Sequence, residues 1–215
     1  MNSKFRVKQV TKLYESCNKC GLPIINCICG KIEKIHTTAQ IWILCSEREF
    51  YRPSNTARLL KLVNPESTEI ILWERTKPCE KLIKVIDSEN YETFLLFPEE
   101  NNELEESVSE KTFKNTKTHK ARVFIILDGT WKEAEKMFRK SDYLKKLTRI
   151  SLKPEHKSKY TLRRGAGEGE LCTIEAAIEV LKLNNEHNNA EIINNVFELF
   201  IRSFKAGASG VKLVE

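Results

Sequence analysis

Arg122-Val123-Phe124-Ile125-Ile126-Leu127-Asp128-Gly129-Thr130-Trp131-Lys132-Glu133 joins a strand to a helix with almost nothing between them. Its first half is an unbroken apolar run rich in β-branched and aromatic residues, the pattern of a strand covered on both faces. Its second half is a helix start. Thr130-Trp131-Lys132-Glu133 has the T-x-x-E form of a capping box, in which the threonine hydroxyl accepts from the Glu133 amide and the carboxylate reaches back to the cap amide. Ala134, Met137 and Phe138 follow at three- and four-residue steps. In open α/β sheets ligands bind beyond the carboxyl ends of the strands, and Asp128 stands at such an end.

The same alternation extends outward in both directions. Gln40-Ile41-Trp42-Ile43-Leu44-Cys45, Glu69-Ile70-Ile71-Leu72-Trp73 and Thr93-Phe94-Leu95-Leu96-Phe97 read as further buried strands. Helices are predicted between and after them. Ser54-Asn55-Thr56 leads into Ala57–Val63, and Pro78 opens Cys79–Ile86. Thr173 is placed to cap Ile174–Leu183, and Ala190–Lys205 carries Ile192, Val196, Leu199, Phe200 and Phe204 on one stripe, with Gly207 as its stop. The expected fold is α/β, a mostly parallel sheet flanked by helices. Residues 1–36 differ in kind, forming a polar arm and a cysteine cluster, and are expected to make a small N-terminal element ahead of a main domain over 37–215.

Composition narrows the class of protein. The chain has 215 residues, 40% of them apolar and 31% charged, with a formal charge of +6 and a mean hydropathy of −0.43. These values exclude collagen-like, disordered and mini-protein readings, and no apolar run approaches the roughly 20 residues of a membrane span. The first residues lack the apolar stretch of a secretory signal, so a cytoplasmic location is expected, where thiols stay reduced. Seven cysteines, an odd number, are then more naturally metal ligands or buried thiols than disulfides.

Four of the seven fall within 13 residues, Cys17, Cys20, Cys27 and Cys29, spaced C-x2-C-x6-C-x-C. Four thiolates on two tight turns suit one tetrahedral structural Zn²⁺ with no open position for a reacting water. His36 is an alternative ligand, and an iron–sulfur cluster an alternative occupant. Two other stretches break the strand–helix pattern. Residues 101–120 read as a polar inserted loop, and 153–164 carry five permanent cations against the single Glu155. The glycines around Arg163, Arg164 and Leu171 do not match dinucleotide or P-loop spacing. Cys172 is expected to be a buried structural thiol, since no histidine near it in sequence is placed to activate it.

Taken in order, these segments resemble the DTW domain family, the tRNA-uridine aminocarboxypropyltransferases. The resemblance runs through the C-x2-C-G-L-P…C-x-C head, Glu49 to Leu60 (EFYRPSNTARLL), Leu95-Leu96-Phe97-Pro98, Leu127 to Trp131, Tyr160-Thr161-Leu162-Arg163 and Leu171 to Ala176. The naming motif, Asp-x-Thr-Trp, is intact at Asp128, Thr130 and Trp131. Where the family often has a histidine ahead of the Arg-x-Ser-Asn-Thr stretch, this chain has Leu44-Cys45-Ser46-Glu47-Arg48.

The resemblance implies a fold related to the knotted, SPOUT-like RNA methyltransferases with an N-terminal zinc-type element. It implies S-adenosylmethionine as co-substrate and tRNA as partner, and transfer of the 3-amino-3-carboxypropyl group to uridine N3 with release of methylthioadenosine. It places Asp128, Thr130 and Trp131 at the catalytic centre, with Trp131 either stacking on a base or packing in the core. Phe97, Pro98, Leu127, Asp128, Gly129, Leu171, Cys172 and Thr173 are placed on the co-substrate, and Arg52, Ser54, Asn55, Thr56, Tyr160 and Arg163 on the substrate. Asp128 is the candidate general base or the holder of the co-substrate's amino group, and Asp128→Ala is expected to abolish modification while sparing the fold. The competing readings are methyl transfer by a SPOUT-like fold and a non-catalytic zinc-dependent RNA-binding module. Either a monomer or a homodimer is compatible with the sequence.

Overall fold

The computed structural model describes residues 8–97, 119–152, 158–160 and 171–214. Among the described residues five strands, β1 (Gln40–Cys45), β2 (Thr68–Leu72), β3 (Tyr91–Leu96), β4 (Ala121–Asp128) and β5 (Thr148–Ile150), form one sheet in the order β2-β1-β4-β3-β5. Every pairing is parallel. The expected parallel α/β sheet is therefore present, with the Arg122–Leu127 run as its central strand. β5 has no counterpart in the sequence reading, because three residues give no periodicity to read.

Continuous apolarity has the predicted cause. Along β1 and β4 alternate residues enter two separate cores. Ile41, Ile43, Phe124 and Ile126 face α2 (Ala57–Val63), α6 (Thr173–Leu183) and α7 (His187–Ala208). Trp42, Leu44, Val123 and Ile125 face α3 (Glu80–Ile86), α4 (Trp131–Arg139) and the short α5 (Asp142–Lys145). A strand with helices on both sides has no polar face to alternate with. A one-turn helix, α1 (Glu47–Phe50), follows β1 directly.

Two helix ends differ from expectation for tertiary reasons. α6 begins at Thr173 with Cys172 at the cap, where Glu175 accepts the Cys172 amide at 2.9 Å. The Thr173 hydroxyl is taken by Asp128 instead. Gly207 does not stop the last helix, which runs to Ala208 and gives way to Gly210 at φ +73°. Gly207 is small because Pro23 lies against it: a Cβ there would come within 2.7 Å of the Pro23 ring.

That contact belongs to the seam between the cysteine element and the helices. The Asn26 side chain donates to the Val211 carbonyl at 2.7 Å and accepts from the Leu213 amide at 2.8 Å. Cys20, Leu22, Ile28 and Ile35 are buried in the same core as α2, α6 and α7. Gly21, at φ +81°, would place a Cβ 2.3 Å from the Pro53 carbonyl oxygen. The element thus rests directly on the chain that leads into α2. No helix among the described residues is long and apolar enough to cross a membrane.

Candidate active site

β1 sends its chain towards β2 on one side of the sheet, while β4 sends its chain through α4 and α5 to β5 on the other. These strands are neighbours, and their diverging exits leave a crevice at the carboxyl edge, where open α/β sheets bind ligands. Cys45 and Asp128 sit opposite each other in register at that edge. A cavity of about 500 Å³ opens there, within the usual range for small-molecule sites.

Most of the residues predicted for the site converge on this cavity. Arg52, Ser54, Asn55 and Thr56 enter from the segment after α1, Phe97 from the end of β3, and Leu127, Asp128, Gly129 and Trp131 from the β4–α4 junction. Tyr160, Leu171, Cys172 and Thr173 complete it from the far side. Thr130 stands just behind: its hydroxyl donates to the Glu133 carboxylate at 2.7 Å, the Thr130 amide does so at 2.8 Å, and the predicted capping box is complete. Pro98 and Arg163 lie outside the described residues, as do most of the 101–120 insertion and of the basic 153–164 segment.

Asp128 is the hub of the polar half. It is 7% exposed and accepts from Asn55 Nδ2 at 2.5 Å, Thr173 Oγ1 at 2.5 Å and Cys45 Sγ at 3.1 Å. Burial and the neighbouring Asp128 charge push the Cys45 thiol well up, so it stays protonated and donates. Asn55 in turn accepts the Ala57 amide at 2.8 Å, and Thr56 Oγ1 accepts the Ile174 amide at 3.3 Å. One carboxylate therefore ties together the end of β4, the entry to α2 and the first turn of α6.

A second pair was not anticipated. Glu49 lines the cavity and accepts from Arg52 Nη1 at 2.8 Å. Their i, i+3 spacing was the available signal. Burial works against the Arg52 charge, but the Glu49 carboxylate outweighs it and raises the guanidinium's pKa. Tyr160 is pushed up to about 12 by burial and donates its hydroxyl to the Ser54 carbonyl at 2.6 Å. Burial and Glu175 raise Cys172 well above a free thiol, consistent with a structural role. The Trp131 ring is 50% exposed at the cavity and stacks on Phe97, with centroids 6.0 Å apart and planes 11° apart.

The four clustered cysteines also converge. All four sulfurs lie within 4.8 Å of one another, with Cys17 to Cys29 and Cys20 to Cys27 each at 3.8 Å. Tetrahedral Zn–S bonds of about 2.3 Å require edges of about 3.8 Å, so the donor set fits that ion. Burial acts upward on Cys17, yet the Cys20 and Lys19 amides bring it down to about 7; burial pushes Cys20 up to about 11, and burial with its neighbours' charge raises Cys29 further. His36 is not part of this group; it is exposed and 3.3 Å from Glu66.

The DTW domain model matches residues 14–205, a span that holds both the cysteine cluster and every described loop of the cavity. The chain belongs to the DTW domain family. The DTW chain is also 27% identical, over 171 residues, to tRNA-uridine aminocarboxypropyltransferase 2 of Drosophila melanogaster. That alignment covers 77% of this chain and 64% of the relative, so this DTW chain spans less than two thirds of the relative's length. No solved structure matches it. The motif that names the DTW family has three positions with three different placements here: a buried hub at Asp128, a helix cap at Thr130 and an exposed ring at Trp131.

Proposed function

We propose that this DTW protein transfers the 3-amino-3-carboxypropyl group of S-adenosylmethionine to N3 of a tRNA uridine. The observation that carries the reading is the cavity at the β1–β4 edge, which gathers the family's motif segments around one carboxylate hub. Its chemistry suits the co-substrate. Phe97, Leu127 and Leu171 offer an apolar wall for adenine, Arg52 has guanidinium donors beyond the one given to Glu49, and the carboxylates of Glu49 and Asp128 suit an ammonium or sulfonium. Ser54, Asn55, Thr56 and Tyr160 supply the polar side on which the nucleotide is held.

In the reaction, uridine N3 forms a bond to the methylene carbon next to sulfur, that carbon–sulfur bond breaks, and its electron pair leaves on methylthioadenosine. The protein's share is mainly orientation, since the methyl group sits on the same sulfonium and only alignment selects between them. The N3 proton passes to a carboxylate of the cavity. Asp128 already accepts three donors, so its main work is to hold Asn55 and Thr173 in place. Glu49 gives one oxygen to Arg52, and Glu49→Gln beside Asp128→Asn separates the two as proton acceptors.

The all-parallel sheet with a cavity built from loops at its carboxyl edge supports the relation to the knotted RNA methyltransferases. The sulfur geometry of Cys17, Cys20, Cys27 and Cys29 supports one structural zinc, which would fix the turn that lies against Pro53. The test is to incubate the protein with unmodified tRNA and S-adenosylmethionine and weigh the nucleosides and the nucleoside by-product. An aminocarboxypropyl gain with methylthioadenosine is expected. A methyl gain with S-adenosylhomocysteine, or tRNA binding without any mass gain, refutes the proposal.

A further inference from the structure

The positive charge of the chain is not spread evenly over the described surface. Residues 131–147, which hold α4 and α5, carry Lys132, Lys136, Arg139, Lys140, Lys145 and Lys146 against Glu133, Glu135 and Asp142. Two of these acids are already engaged: Glu133 in the Thr130 cap and Asp142 with Lys145 at 2.6 Å. Among the described residues Lys132, Arg139, Lys140 and Lys146 have no ion-pair partner, and all four are exposed. The exposed face of α7 is different in kind, since there Glu191 and Glu198 accompany Arg202 and Lys205.

The arrangement is also ordered. Lys132, Lys136 and Lys140 lie four residues apart, which puts them in one row, about 6 Å from one to the next. The row starts one residue after Trp131 and about 100° around the helix from it, with Lys136 Nζ 5.9 Å from the centroid of the Trp73 ring; the Trp131 ring itself is half exposed at the cavity and backed by Phe97. An exposed aromatic ring beside a track of cations is the combination that holds single-stranded nucleic acid, with the ring under a base and the cations on the backbone. Uridine N3 lies on the Watson–Crick edge, so a base-paired uridine hides the atom that must react. The strand that reaches Asp128 is therefore unpaired.

We propose that the exposed side of α4 and α5, from Trp131 to Lys146, is the surface on which an unpaired loop of the RNA substrate lies. Trp131 stacks under a base at the cavity, and Lys132, Lys136 and Lys140 meet successive phosphates leading away from it. This rests on the reading of the cavity as the site of uridine modification.

The test uses the full chain with unmodified tRNA, measuring affinity across a salt series, and S-adenosylmethionine binding by calorimetry. The variant Lys132→Gln/Lys136→Gln/Lys140→Gln is expected to lower the slope of log affinity against log salt by about 2, and to weaken binding roughly 10- to 100-fold at low salt. Its S-adenosylmethionine affinity is expected to match wild type. Arg202→Gln/Lys205→Gln/Lys212→Gln, in the last turns of α7 and the segment after it, is expected to leave the slope unchanged. Trp131→Ala is expected to weaken tRNA binding about tenfold with the slope preserved, because stacking releases no counterions. A wild-type slope in the α4 variant, or an equal drop in the α7 variant, overturns the proposal. Failure of the functional reading looks different: the wild type binds tRNA with its full slope but binds no S-adenosylmethionine.

Discussion

Replacing Asp128 by alanine should cost this protein its stability as well as its activity. The carboxylate is buried at the end of the central strand and accepts from Asn55, Thr173 and Cys45. Truncation strands the Asn55 amide and the Thr173 hydroxyl inside the protein, at about 1–3 kcal/mol each. The thiol adds little, being a weak donor. The expected loss is therefore about 4 kcal/mol, a large part of a typical total of about 5–15 kcal/mol. Asp128→Asn is milder, about 1 kcal/mol, because its oxygen still accepts from Asn55 while its amide donates to the Thr173 hydroxyl, which turns to accept. Urea unfolding followed by circular dichroism reads both variants as shifts in midpoint at constant m. The structure thus revises the sequence-based expectation that Asp128→Ala spares the fold. An Asp128→Ala midpoint equal to wild type would refute the hub, and an Asp128→Ala no less stable than Asp128→Asn would refute the accounting of stranded donors.

Further outcomes follow from other contacts. Gly21→Ala forces a Cβ to within 2.3 Å of the Pro53 carbonyl in a left-handed backbone, and should lower stability by more than about 2 kcal/mol in thermal unfolding; an unchanged melting temperature argues against the seam. Burial acts upward on the Glu133 carboxyl, but the Thr130 amide and hydroxyl outweigh it and hold it below its usual range. A carboxyl whose folded pKa is depressed stabilises the protein above its unfolded pKa of about 4.3, and that stabilisation is lost as pH falls through the folded value. Thr130→Ala should therefore cost about 1 kcal/mol near neutral pH and progressively less towards pH 3; a gap that stays constant contradicts this. Metal analysis should find one zinc per chain, lost in Cys17→Ser/Cys20→Ser, and native folded protein free of zinc would defeat the assignment of the cysteine cluster.

Much of this protein is decided by short-range chemistry and is therefore legible along the chain. The capping box at Thr130 and Glu133 needs only residues three apart, and it forms as read. The cysteine spacing sets two tight turns, and the sulfurs meet at tetrahedral distances. Unbroken apolar runs at β1 and β4 already imply helices on both sides, because neither face can then be left to water. The site is another matter. Cys45 is 83 residues from Asp128 in sequence and Thr173 is 45 away, and they meet only because the sheet order sets β1 beside β4 and α6 closes over their ends. Thr173 shows the limit most plainly. By local propensity it is a good helix cap, but one buried carboxylate that accepts its hydroxyl binds it more strongly than its own helix does, and Cys172 takes the cap. Local spacing determined the four longer strands, the Thr130 cap and the grouping of the four cysteines; which side chains share a cavity was decided by packing, because only burial brings distant polar groups together and makes leaving any one of them unpaired costly.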